Sequence, residues 1–128
     1  MNKISALASR FSPYSPAVLR LSVGLVFVYF GWTSVASPDM WAGYVPEWMA
    51  SLVAAETLVR LHGAAEIALG VALSLGIAPR LIGAALFLDL LHIVSLVGWG
   101  PVAARDLGLA GAALAIALAA PAPSQPLS

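Results

Sequence analysis

Four apolar runs, over residues 17–36, 57–75, 80–97 and 106–120, leave this chain one kind of environment. Crossing a bilayer takes about 20 apolar helical residues, because the hydrocarbon core is about 30 Å thick and a helix rises 1.5 Å per residue. Inside that core no water satisfies backbone N–H and C=O groups, so each run has to be a helix. Composition agrees: the chain is 61% hydrophobic and 9% charged, whereas a soluble domain carries roughly a quarter charged residues. The expected fold class is all-α, a transmembrane four-helix bundle forming a single domain over residues 1–128. The fourth run is short and must tilt little or extend back through Val102. Formal net charge is zero, so the clustered basic face that nucleic acid requires is missing. The absence of cysteine excludes disulfides, thiolate metal sites and thiol catalysis.

The segments around the runs are polar or aromatic. Residues 1–15 carry Lys3 and Arg10 and no acid. Ile4, Leu7 and Phe11 recur at helical spacing, which predicts a short interfacial helix, broken by Ser12-Pro13 and Ser15-Pro16. A cleaved signal peptide would imitate this start. However, the apolar region is longer than the usual 7–15 residues and Arg20 sits inside it. Arg20 is expected to snorkel to nearby headgroups. Gly24 and Gly31 would let another helix approach closely. Between the first two runs, residues 37–56 hold Trp41, Tyr44 and Trp48, side chains that favour the headgroup level. A short interfacial helix is expected after Ser37-Pro38, then a break at Pro46, then a helical start running into the second span. These aromatics serve as membrane anchors or as a lid over a lipid-soluble substrate such as a quinone. The link Gly76-Ile77-Ala78-Pro79 is so short that spans two and three should be antiparallel neighbours. In span four, Gly108, Ala112, Ala115 and Ala119 form a small-residue stripe suited to close packing. Asp106 reads as that span's N-cap, and Arg80 is expected to reach headgroups or the carbonyls that end span two. The tail 121–128 is expected to be disordered.

The candidate site lies in the second and third runs. His62 and Glu66 are four apart, and Asp89 and His92 are three apart, so each pair shares a helix face. Ionisable groups at such depth are costly and usually face a bundle interior or a wet cavity. Measured from the short link at 1.5 Å per residue, Glu66 lies about 15 Å deep, Asp89 about 14 Å, His92 about 18 Å and His62 about 21 Å. On antiparallel neighbours all four can converge. The two carboxylates would then share protons, and a histidine one turn away would pass them on. In the competing arrangement each acid pairs with the histidine of its own helix, leaving nothing buried unpaired. Haem between His62 and His92 is disfavoured, since helices packed about 8–10 Å apart leave little room for a macrocycle. No metal-ligand set is expected from the pattern.

An ordered set of residues resembles the DoxX family of small four-span bacterial membrane proteins. It comprises RLSVGLVFVYFGW in span one, with Arg20, Gly24, Phe27 and Gly31, and VPEWM around Pro46. It continues with HGAAEIALGVALSLGIAPRLIGAAL, carrying Gly63, Glu66, Gly70, Gly76 and Arg80, and ends with Arg105-Asp106. The chain departs at Ser34, where members often have lysine, so an activity resting on that lysine does not carry over. The resemblance implies association with membrane redox complexes, since the family takes its name from a subunit of a thiosulfate:quinone oxidoreductase.

Two functions follow as expectations. One is a membrane subunit of a quinone-linked oxidoreductase, with Glu66, Asp89, His62 and His92 moving protons and a soluble or membrane redox subunit as partner. The other is a non-enzymatic scaffold or small carrier whose buried polar groups only hold the bundle together. Lys3, Arg10, Arg20 and Arg80 fall on one side of a four-span arrangement, and Arg60 and Arg105 on the other. The positive-inside rule then puts both termini in the cytoplasm, and the resemblance implies a bacterial inner membrane.

Overall fold

The computed structural model describes residues 2–119, and every regular element among them is helical. Four helices are long and apolar enough to cross a membrane. They are α2 (Ser15–Ala36), α5 (Ala55–Ser74), α6 (Pro79–Val97) and α7 (Pro101–Leu118). Their 22, 20, 19 and 18 residues give lengths of about 27–33 Å at 1.5 Å per residue, matching the hydrocarbon core. Large apolar side chains such as Leu25, Trp32, Leu61, Leu81, Leu88 and Leu118 are exposed on the outside. In water that surface would aggregate; in lipid it is the expected exterior.

Ahead of α2, α1 (Lys3–Phe11) starts at Asn2, whose side chain accepts from the Ser5 N–H. The Ser-Pro pairs do not break the chain path. They tighten it into one 3₁₀ turn at Ser12–Tyr14, and helix resumes at Ser15. Pro16 falls in the first turn of α2, where its missing N–H costs nothing.

The aromatic connection contains two one-turn helices, α3 (Asp39–Ala42) and α4 (Glu47–Ala50). The second does not run into the second span as expected. The Ser51 hydroxyl donates to the Trp48 carbonyl, a local bond that competes with helix continuation, and α5 begins only at Ala55. Trp48 and Trp99 stay exposed at this end of the bundle, hereafter the loop end.

The four spans pack as two close pairs, α2 with α5 and α6 with α7. Glycines set the first pair. A Cβ on Gly31 would sit 2.5 Å from the Gly63 carbonyl oxygen, and one on Gly70 would sit 2.5 Å from that of Gly24. Only bare backbones fit there, and the seven-residue spacing within each helix repeats the contact two turns on. In the second pair Gly83 lies against the Ala113 carbonyl and Ala117. Spans two and three are joined by the short link but meet sparsely, as do α2 and α7. The link turns through Gly76 and Ala78, both at positive φ. Val23, Phe27, Leu73, Leu86, Leu90, Ala113 and Ile116 form the core between the pairs.

Three expectations about span ends and faces are corrected. Span four begins at Pro101, with Pro again in the first turn, so Asp106 lies inside the helix and caps nothing. The buried face of α7 is Ala103, Asp106, Ala110, Ala113 and Ile116. Of the stripe, Gly108, Ala115 and Ala119 are exposed and only Ala112 is half-buried, because the helix meets its neighbours through a different small-residue face, that of Ala103, Ala110 and Ala113. Arg80 donates from Nε to the Ala117 carbonyl at the end of α7, not to span two, since α7 is the close partner of α6. Arg20 is half-buried against Gly76, with no partner for its Nε among the described residues. The tail 121–128 lies outside the described residues.

Candidate functional site

His62 and Glu66 lie one turn apart on α5, as their spacing requires, and Asp89 approaches them from α6. His62 Nε2 donates to Asp89 Oδ1 at 2.7 Å, a length typical of a charge-assisted bond. The other ring nitrogen, Nδ1, faces Glu66 Oε1 at 3.6 Å, beyond hydrogen-bond length. One donor atom from each of the three residues can be chosen so that all lie within 4.8 Å of one another. The histidine bridges two carboxylates across the sparse α5–α6 seam. The arrangement in which Asp89 pairs with His92 on its own helix does not occur. His92 stands outside this group, exposed, one turn along α6.

The group opens onto a cavity of about 200 Å³ at the loop end. Phe27, Phe30, Trp41, Tyr44, Leu58 and Leu90 contribute apolar and aromatic wall. His62, Glu66, His92, Arg105 and Asp106 bring the charge. Glu66 is the most enclosed of the predicted residues at 5% exposure, while the His62 side chain is 42% exposed. Asp89 turns its Oδ2 into packed protein, where no donor among the described residues meets it. Phe30, Trp41 and Tyr44 form a contiguous aromatic group with ring centroids 6.2 Å apart at each step.

Two further residues line the cavity, Arg105 and Asp106, the second of them expected from sequence as a helix cap. Asp106 is 5% exposed and accepts from Arg105 Nε at 3.1 Å. The Arg105 guanidinium also stacks on Phe30, 4.6 Å from the ring centroid, a cation–π contact. The available signal was Pro101: as a first-turn residue it starts the helix there and puts Asp106 in the second turn instead of at a cap. Ser34 also lines the cavity and donates to the Phe30 carbonyl. Haem does not fit, because His92 does not join His62 and a macrocycle far exceeds the space enclosed.

A model of the DoxX family matches residues 15–99, which spans α2 to α6 and two-thirds of the chain. The chain belongs to the DoxX family. No curated protein and no solved structure matches it. As a DoxX protein it is an integral membrane protein with four candidate spans. The match includes His62, Glu66, Asp89 and His92, and α7 with Arg105 and Asp106 follows it.

Proposed function

We propose that this DoxX protein holds the ring of a lipid-soluble carbonyl compound, with a quinone as the leading case, and that His62, Glu66 and Asp89 exchange protons with it. The supporting observation is the cavity itself, with aromatic walls and a buried, cavity-facing Glu66 backed by the His62–Asp89 bond. At about 200 Å³ it is smaller than the 300–1,000 Å³ of sites for whole drug-sized ligands. A headgroup with its tail left in the bilayer suits that size. Quinone reduction consumes two electrons and two protons. The chain supplies proton-carrying side chains, and the electrons come from a partner redox subunit. His92, on the same wall, is the next proton acceptor along α6. In this proposal the protein sits in a bacterial inner membrane with both termini in the cytoplasm, so the cavity opens toward the outer leaflet.

Titrating a short-tailed ubiquinone analogue into detergent-purified protein tests the binding. Trp41 lines the cavity, so saturable quenching of tryptophan fluorescence is expected, and Trp41→Phe should remove most of it. Quenching that does not saturate, or that is indifferent to Trp41, refutes the site.

A scaffold role is the second reading, favoured by one observation: the His62–Asp89 bond joins two helices that otherwise meet sparsely. On that reading Asp89→Asn lowers thermal stability and leaves quinone binding absent in wild type and variant alike.

A further inference from the structure

We propose that His62 and Glu66 chelate a first-row divalent transition-metal ion, such as Zn²⁺ or Mn²⁺, at the cavity wall, with Asp89 orienting the histidine from behind. The argument starts from the tautomer. An ionised Asp89 can only accept, so the proton of the 2.7 Å bond sits on Nε2, and a neutral His62 then presents a bare lone pair at Nδ1. That lone pair faces Glu66 Oε1 at 3.6 Å, so two acceptors confront each other and something positive belongs between them. A proton on Nδ1 would draw the carboxylate in to about 2.7–2.9 Å. A metal ion holds its ligands further apart. Two ligands each about 2.0–2.2 Å from a tetrahedral ion lie about 3.3–3.6 Å from one another, which matches the observed gap.

Three further observations point the same way. Glu66 is 95% enclosed (5% exposed) and faces the cavity, and no N–H among the described residues hydrogen-bonds to it. Asp89 on the far ring nitrogen reproduces the carboxylate–histidine–metal arrangement that fixes a ligand histidine's tautomer and raises its basicity. The donor set is one imidazole nitrogen with carboxylate oxygen and no thiolate, which selects borderline divalent ions over Cu(I). The remaining coordination positions face the cavity, whose wall includes His92 and Asp106. Ion and relay proton compete for the same two atoms, so an ion-loaded chain would not pass protons through His62. The inference does not depend on the quinone reading, because the ion is held without any ring compound present.

Co²⁺ serves as the probe, titrated into tag-free protein in neutral detergent with no quinone added. The expected result is visible d–d absorption saturating at one ion per chain and bleached by Zn²⁺. Glu66→Gln should weaken binding by about a hundredfold or more, and Asp89→Asn by about 10–100-fold, the usual effect of losing an outer carboxylate. Loop acids make the control: Asp39→Asn with Glu47→Gln should change nothing. Unaltered Co²⁺ binding in Glu66→Gln, or loss of binding in the loop variant, overturns the proposal. X-ray absorption of Zn²⁺-loaded wild-type protein needs no variant to fold. One imidazole nitrogen with oxygen ligands at about 2.0–2.2 Å supports the site, and an all-oxygen shell overturns it.

Discussion

Asp106 and Arg105 are adjacent in sequence yet differ sharply in surroundings: the acid is buried, while the arginine side chain is 45% exposed. Breaking a fully buried ion pair costs about 3–5 kcal/mol. Here one partner keeps its solvation and its place on Phe30, so Asp106→Ala should cost only about 1–2 kcal/mol, between the buried and exposed limits. Thermal unfolding in detergent checks this, and a loss above the buried-pair range would mean Arg105 depends wholly on the acid. The same residue shows where sequence reasoning stopped. Depth along a helix follows from counting residues, so Glu66 and Asp89 were placed at one level, and they do meet. Rotation about the helix axis is set by packing on neighbours, so the partner of Asp89 was not legible. His62 takes it, and His92 is left on the wall. Asp106 was misread because the start of its helix was misplaced by one turn and more.

At the scale of elements, glycines decide which helices pair. Gly24 and Gly31 were legible as close-approach sites, but the partner helix was not, because a glycine marks a bare surface and not what lies on it. Gly31→Ala should separate α2 from α5, since its Cβ would meet backbone atoms of Gly63 and Ile67 inside 3 Å. Overpacking of that kind costs about 1–3 kcal/mol or more. Gly108 is the control: none of the described residues lies within 4 Å of its Cβ direction. Gly108→Ala should be neutral or stabilise by up to about 1 kcal/mol, the helix-propensity difference. Equal effects of the two substitutions on unfolding in detergent would contradict the pairing. The link after α5 works differently. Ala78 adopts φ 40° without being glycine, a left-handed conformation that costs about 1–2 kcal/mol. Its strain accompanies a turn only four residues long that delivers Asp89 opposite His62.

For the whole molecule, the four-span architecture was legible because lipid imposes length and composition on every span. Sidedness can be tested directly. Reporter fusions after Gln125 and within the aromatic connection near Gly43 should fall on opposite sides, with the first cytoplasmic by the basic asymmetry. A C-terminal reporter active outside the cytoplasm reverses the proposed orientation. The two close helix pairs have a further consequence. They meet along light seams between α5 and α6 and between α2 and α7, and residues of all four helices line the cavity. On the proposed reading, a quinone dissolved among the acyl chains would arrive sideways, parting helices that hold each other weakly, without passing through water. The concentration it responds to is its mole fraction in lipid. Diluting the protein into more bilayer at fixed total quinone should then lower occupancy as effectively as removing the quinone.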